Sequence, residues 1–217
     1  MDQRHRSDSE AMTSTASTST SPLLALPDSA LAQGAAALLR AVADDWLVQH
    51  SVRTYRFGSA LLARVGVDAD PELLYVASML HDVGLGTVFD DGVTPFHLRT
   101  AAVAGAFMTT QGRSIDESSL IYDAIALHLD LSSADDARGV VAGVHLGAAA
   151  DVIGLRIEDV PPEVVEQVLA AHPRSDTKAH LVRVLAAEAD RKPYGQAARL
   201  VREVAFLDLI VAAPFDE

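Results

Sequence analysis

Cysteine is absent from this 217-residue chain, aromatic residues make up only 5% of it, and 17 lysines and arginines face 30 acidic residues. Each shortage closes a class of explanation. Without cysteine there are no disulfides, no thiolate metal ligands and no cysteine nucleophile. A formal charge of −13 leaves no basic patch for a nucleic-acid backbone or an anionic membrane surface, and mildly disfavours a highly charged anionic substrate. No window approaches the roughly 18 uninterrupted apolar residues of a membrane span. Few aromatics beside abundant alanine favour close-packed helices over sheets. The expectation is a cytoplasmic protein acting on a small molecule, with no nucleic-acid or membrane partner and with self-association left open.

What is present divides unevenly. Residues 1–22, MDQRHRSDSEAMTSTASTSTSP, form a polar Ser/Thr-rich stretch that cannot bury enough apolar surface to order itself, and they lack the apolar segment of a secretory signal. They are expected to be a disordered tail. Residues 23–217 are expected to form one helical domain, since 49% of the chain is apolar and its length suits one sizeable core.

Helical spacing continues almost without interruption from about residue 29, and the punctuation falls where helix ends need it. Asp70 before Pro71 is an N-cap followed by a first-turn proline, opening the run LLYVASMLHD. Ser114 with Glu117 forms a capping box ahead of the run ending at His128. Thr94-Pro95 opens a helix through Met108 that Gly112 can close. Further helices are expected near 45–65, 135–153, 162–171, 176–190 and 196–212. No alternating strand pattern appears. The fold expected from the residues is an all-α bundle of about eight or nine helices.

The chemistry gathers on a few side chains. His81 and Asp82 are adjacent and close an apolar helix, with Gly84 and Gly86 just beyond. Neighbouring helical positions point about 100° apart, so both can reach one ion only where the helix ends and the backbone relaxes. His50 lies in the helix WLVQHSVRTYRFGSALL with Arg53 one turn later. A lone helical histidine is equally an ordinary packed residue, but an imidazole beside a guanidinium suits a metal ligand beside a substrate clamp. Asp151 follows the small and apolar run GVHLGAAA, where an unpaired buried carboxylate would be costly. Its ordinary alternative is a helix-end carboxylate reaching solvent. Together His50, His81, Asp82 and Asp151 offer two imidazoles and two carboxylates to a divalent cation, converging from separate helices as ligands in bundle cores do.

This ordered set, on consecutive helices, resembles the HD-domain superfamily of metal-dependent hydrolases over roughly residues 45–175. HSVRTYRFG, LLYVASMLHDVGLG, YDAIALHLDL and AAADVIGL are most similar to the branch containing cyanamide hydratases. The resemblance implies an all-α HD-type domain, a bound Zn²⁺ or Fe²⁺, and hydrolysis or water addition. One departure stands out: where the branch often carries Phe-Glu, this chain reads Phe96-His97. Binuclear HD proteins use extra histidines, so His97 and His128 would hold a second ion if both were ligands. The plainer alternatives are a polar first-turn residue for His97 and a favourable helix-dipole contact for His128. His145, His172 and His180 are expected to play structural parts.

The expected mechanism uses one ion at His50, His81, Asp82 and Asp151 to lower the pKa of a water. Asp82 shuttles its proton, Arg53 stabilises developing negative charge, and His97 or His128 orients the substrate or donates a proton. The preferred substrate is a small carbon-nitrogen compound of cyanamide or nitrile type. A phosphohydrolase acting on a nucleotide or phosphomonoester, with Arg56 and Arg99 near Arg53, and a di-iron oxygenase using His97 and His128 are the alternatives.

Overall fold

The computed structural model describes residues 25–217. The expected tail at residues 1–22 lies outside the described residues. Ten α-helices are present among the described residues: α1 Ala30–Val42, α2 Asp45–Val65, α3 Pro71–Leu80, α4 Phe96–Thr110, α5 Ile115–Ala126, α6 Gly139–Ile153, α7 Pro162–Ala171, α8 Thr177–Arg191, α9 Gln196–Val204 and α10 Phe206–Ala212. Among the described residues there is no strand, and no helix is long and apolar enough to cross a membrane.

Local chemistry sets several of these boundaries. Asp70 accepts bonds from the Glu72 and Leu73 amides at the start of α3, with Pro71 in the first turn. The Ser114/Glu117 capping box forms at α5. The span expected as one helix over 196–212 is two, because Ala205 turns left-handed at φ 51° between α9 and α10. That break adds a helix to the expected count. No glycine or proline marks it.

At the centre α2 lies along α6, which is buried at nearly every position. The two backbones approach so closely that a Cβ on Gly147 would overlap the Thr54 carbonyl, and one on Gly58 would overlap that of Gly143. Glycine is needed at these positions for proximity rather than for backbone freedom. α3 and α5 pack on α6, α1 covers α3, and α4 covers α5. The C-terminal helices α8, α9 and α10 pack on one another, and α10 also reaches α6. This arrangement carries His50 on α2 and Asp151 on α6 to the same level of the core as the end of α3.

Candidate metal centre

The α3 helix ends at Leu80, and the turn beyond it decides where two side chains point. His81 keeps helical angles (φ −58°, ψ −27°), while Asp82 departs at φ −117°, ψ 9°. The relaxation needed for both to face one point therefore occurs at Asp82. Gly84 has no positive φ; a Cβ there would collide with the Thr100 hydroxyl and the Phe96 carbonyl. Its contribution is to let the turn sit against α4. Arg99 pins the same turn by donating to the Gly84 carbonyl at 2.6 Å and to the Thr94 carbonyl.

Three imidazoles meet the Asp82 carboxylate in a buried space. His50 Nε2 is 3.2 Å from His81 Nε2 and 3.5 Å from Asp82 Oδ2, and His81 Nε2 is 3.3 Å from that oxygen. His128, in the turn after α5, brings Nε2 to 3.5 Å from Asp82 Oδ1. One donor atom from each of His50, His81 and Asp82 lies within 4.8 Å of the others.

The tautomers are set by the groups that hold the far side of each ring. His81 Nδ1 donates to the Ser78 carbonyl at 2.7 Å and His128 Nδ1 to the Ile125 carbonyl at 2.6 Å. A carbonyl can only accept, so in the neutral rings each Nε2 is a lone pair. His50 Nδ1 donates to Asp151 Oδ2 at 2.7 Å. Three lone pairs thus face a carboxylate, and Asp82 Oδ1 has no hydrogen-bond partner. Acceptors crowded together this way need a cation. Three nitrogens and a carboxylate suit a borderline divalent metal, so the residues present fit the group.

Burial alone would lower the pKa of His50, but the Asp151 and Asp82 carboxylates outweigh it and raise the value above the ordinary range. A proton there is the cation the site can make for itself, and metal binding must displace it. Burial lowers the pKa of His81. For Asp82 burial acts upward, and the surrounding imidazoles, His81 foremost, overcome it and hold the carboxyl well below the usual range.

Asp151 stands elsewhere than expected. It lies on the Nδ1 side of His50, fully buried, with both oxygens engaged. Oδ1 accepts from Arg53 Nε at 2.7 Å and from Arg174 at 2.8 Å; Oδ2 accepts from His50 and from Arg53 at 3.0 Å. Four bonds fill the carboxylate's accepting capacity. The four-ligand set expected from the sequence is therefore not the set gathered here: Asp151 orients the His50 ring, as carboxylates behind metal-binding histidines do. Arg53 departs from expectation too. Its remaining donors go to the His172 and Pro173 carbonyls and the Thr177 hydroxyl, and nothing is left to clamp a substrate.

His97 is buried with Nδ1 unpartnered and its ring edge-on to Phe96. It is not in the cluster, and burial, helped by the nearby His128, lowers its pKa to about 4. His145, expected to pack or cap, instead lines the cavity at the cluster and donates through Nδ1 to the His128 carbonyl at 2.8 Å. It lies in the same apolar run that makes Asp151 conspicuous, so the cost of burying a polar group marks both residues equally. Arg174, which holds Asp151 from a loop, carried no sequence signal.

A cavity of about 260 Å³ opens from the cluster. Its wall holds His50, His81, Asp82, His128 and His145 at one end and no lysine or arginine anywhere among the described residues.

The described residues thus form an all-helical fold with a buried His-His-Asp centre, able to hold a metal ion, at a helix end. The HD domain family matches residues 47–208, and the chain belongs to that family, whose members are in general metal-dependent hydrolases. Comparison with curated proteins gave no match.

Proposed function

We propose that this protein is a metal-dependent hydratase or hydrolase that adds water to an uncharged carbon-nitrogen group of nitrile or amide type. The observation that carries the reading is a cluster of cation-seeking donors opening into a cavity with no lysine or arginine on its wall. The likeness of HSVRTYRFG and LLYVASMLHDVGLG to the cyanamide hydratase branch supports the same chemistry. For a nitrile, the water oxygen bonds to carbon and both hydrogens end on nitrogen, giving the amide.

His50, His81 and Asp82 would hold the ion, with His128 beside them. Zn²⁺ and Fe²⁺ both suit this donor set. When bound, the metal supplies Lewis acidity and makes water a nucleophile near neutral pH. The protein's own groups supply the rest. Asp82 Oδ1, without a hydrogen-bond partner, takes the proton of the attacking water. His128 Nε2, 3.5 Å from that oxygen, passes it toward the substrate nitrogen. Asp151, Arg53 and Arg174 keep the His50 ring fixed, and His145 offers the substrate a polar contact at the same end of the cavity.

A phosphate substrate would need cations. The three arginines near enough to be considered are used otherwise: Arg53 on Asp151, Arg56 on the Ala25 carbonyl and Arg99 on the His-Asp turn. None of them lines the cavity. The two-ion oxygenase reading needs His97 as well as His128, and His97 lies outside the cluster. Protein purified without added metal should carry a single ion per chain and convert short nitriles to products heavier by one water, read by mass spectrometry. Phosphate release from a nucleotide panel with no nitrile or amide turnover would overturn the proposal, as would two irons per chain with oxygen consumption.

A further inference from the structure

The cavity that meets the His-Asp cluster is far larger than the reacting group requires. Holding one water takes about 10–15 Å³ of such space, so a substrate of a few atoms would leave most of the 260 Å³ empty. An apolar void forfeits the dispersion contacts of its lining. Beyond the cluster, the wall is built by Leu181 and Leu185 of α8, Leu200 and Val204 of α9, and Phe206 and Leu209 of α10. Polar side chains occur at one end only.

The rim continues the pattern. Leu131, Leu155, Val204 and Leu209 line the cavity and are also 62%, 40%, 40% and 42% exposed. Scattered exposed aliphatics are ordinary, but four around one opening mark a place where apolar surface is meant to be covered. The rim lies partly on α9 and α10, the two short helices that the left-handed Ala205 separates. That break turns Val204 and Phe206 so that both face the same cavity.

We infer that the substrate is an uncharged amphiphile: a carbon-nitrogen head seated at the His-Asp cluster and an aliphatic body filling the sleeve formed by α8, α9 and α10. The identity of the head rests on the proposed hydratase or hydrolase reading; the apolar body rests on the cavity alone. The occupant is a single small molecule whose chain passes over the aliphatic rim.

Binding and turnover can be separated. The first measurement is kcat/KM of the metal-loaded protein on straight-chain nitriles and primary amides of increasing length, from acetonitrile and acetamide upward. The second is the affinity of the same amides for Asp82→Asn, which is not expected to turn them over. Both should improve by about three- to fourfold per methylene until the sleeve is filled, then level off. Leu209→Asp, at a half-exposed rim position, should weaken the longest chain by at least about tenfold more than it weakens the shortest. Length-dependent binding without turnover would uphold the apolar sleeve and overturn the proposed chemistry. Turnover of short members with no gain from length would overturn the sleeve and leave the chemistry standing. Failure of every chain to bind either protein would overturn the inference.

Discussion

The two sides of the His50 ring each centre on a buried aspartate and are opposites. On the Nδ1 side, Asp151 receives His50, Arg53 and Arg174, and each oxygen carries two bonds. On the Nε2 side, His50, His81 and His128 turn lone pairs toward Asp82, whose Oδ1 has no hydrogen-bond partner. Both carboxylates are buried, and both are held below the usual carboxylate range. Asp151 owes this chiefly to the Arg53 guanidinium, which overcomes the effect of burial. Burial and a low pKa thus do not distinguish a carboxylate held in a filled network from one left open to a cation. Completeness of hydrogen bonding does.

The contrast breaks most visibly at Asp151. Removing one partner of a buried charged network leaves the others desolvated and uncompensated, and Asp151→Ala would strand two buried guanidiniums. It should destabilise the protein by about 3–5 kcal/mol, read as a lower midpoint in urea unfolding. Metal content should fall as well, since His50 loses the group that fixes its ring. Asp82→Asn is the matched change on the other side. It should abolish metal retention, measured by elemental analysis, while destabilising the metal-free protein less than Asp151→Ala does, because Oδ1 has no bond to lose and only the contacts of Oδ2 with His50 and His81 are weakened. Equal destabilisation of metal-free protein by the two variants would show that the two sides are not different in kind.

The contrast also explains what the sequence could reveal. Both ends of α3 were legible because Asp70 and Pro71 at its start and the glycines after Asp82 at its end are local signals, and His50 was legible because it sits on an amphipathic helix one turn before an arginine. Two roles were not. Asp151 and His145 lie on α6, which is apolar on all faces and buried nearly throughout, so periodicity could not say which of them faces the cavity. Arg53 could be read only as a neighbour of His50. Its partners, the carbonyls of His172 and Pro173 and the Thr177 hydroxyl, lie more than a hundred residues away, at the loop before α8 and its first residue. Pairings of that range are fixed by how α2 meets α6 and α8, and that contact depends on glycines at Gly58, Gly143 and Gly147, which in a sequence look like weak points of a helix.

The smallest expected effect concerns His97, which belongs to neither side. Its Nδ1 is buried without a partner, so His97→Leu loses no hydrogen bond there, and near pH 7 the stability change should be under about 1 kcal/mol. The variant should differ in its pH dependence. Burial and His128 depress His97 from an ordinary value of 6.5 to about 4, so in this window the unfolded chain binds the proton more readily than the folded one. The stability owed to a neutral His97 is complete above about 6.5 and is lost as pH falls toward about 4. His81 and His145 are depressed as well and slope the same way, while His50 is raised and opposes them. The difference between wild type and His97→Leu isolates the one residue. Urea unfolding of metal-free protein at several pH values between about 4 and 7 should show the wild type losing stability more steeply toward acid than the variant. Metal content at neutral pH should be the same in both. A variant that purifies without metal would place His97 among the ligands after all, and the donor cluster would then extend past Phe96 toward α4.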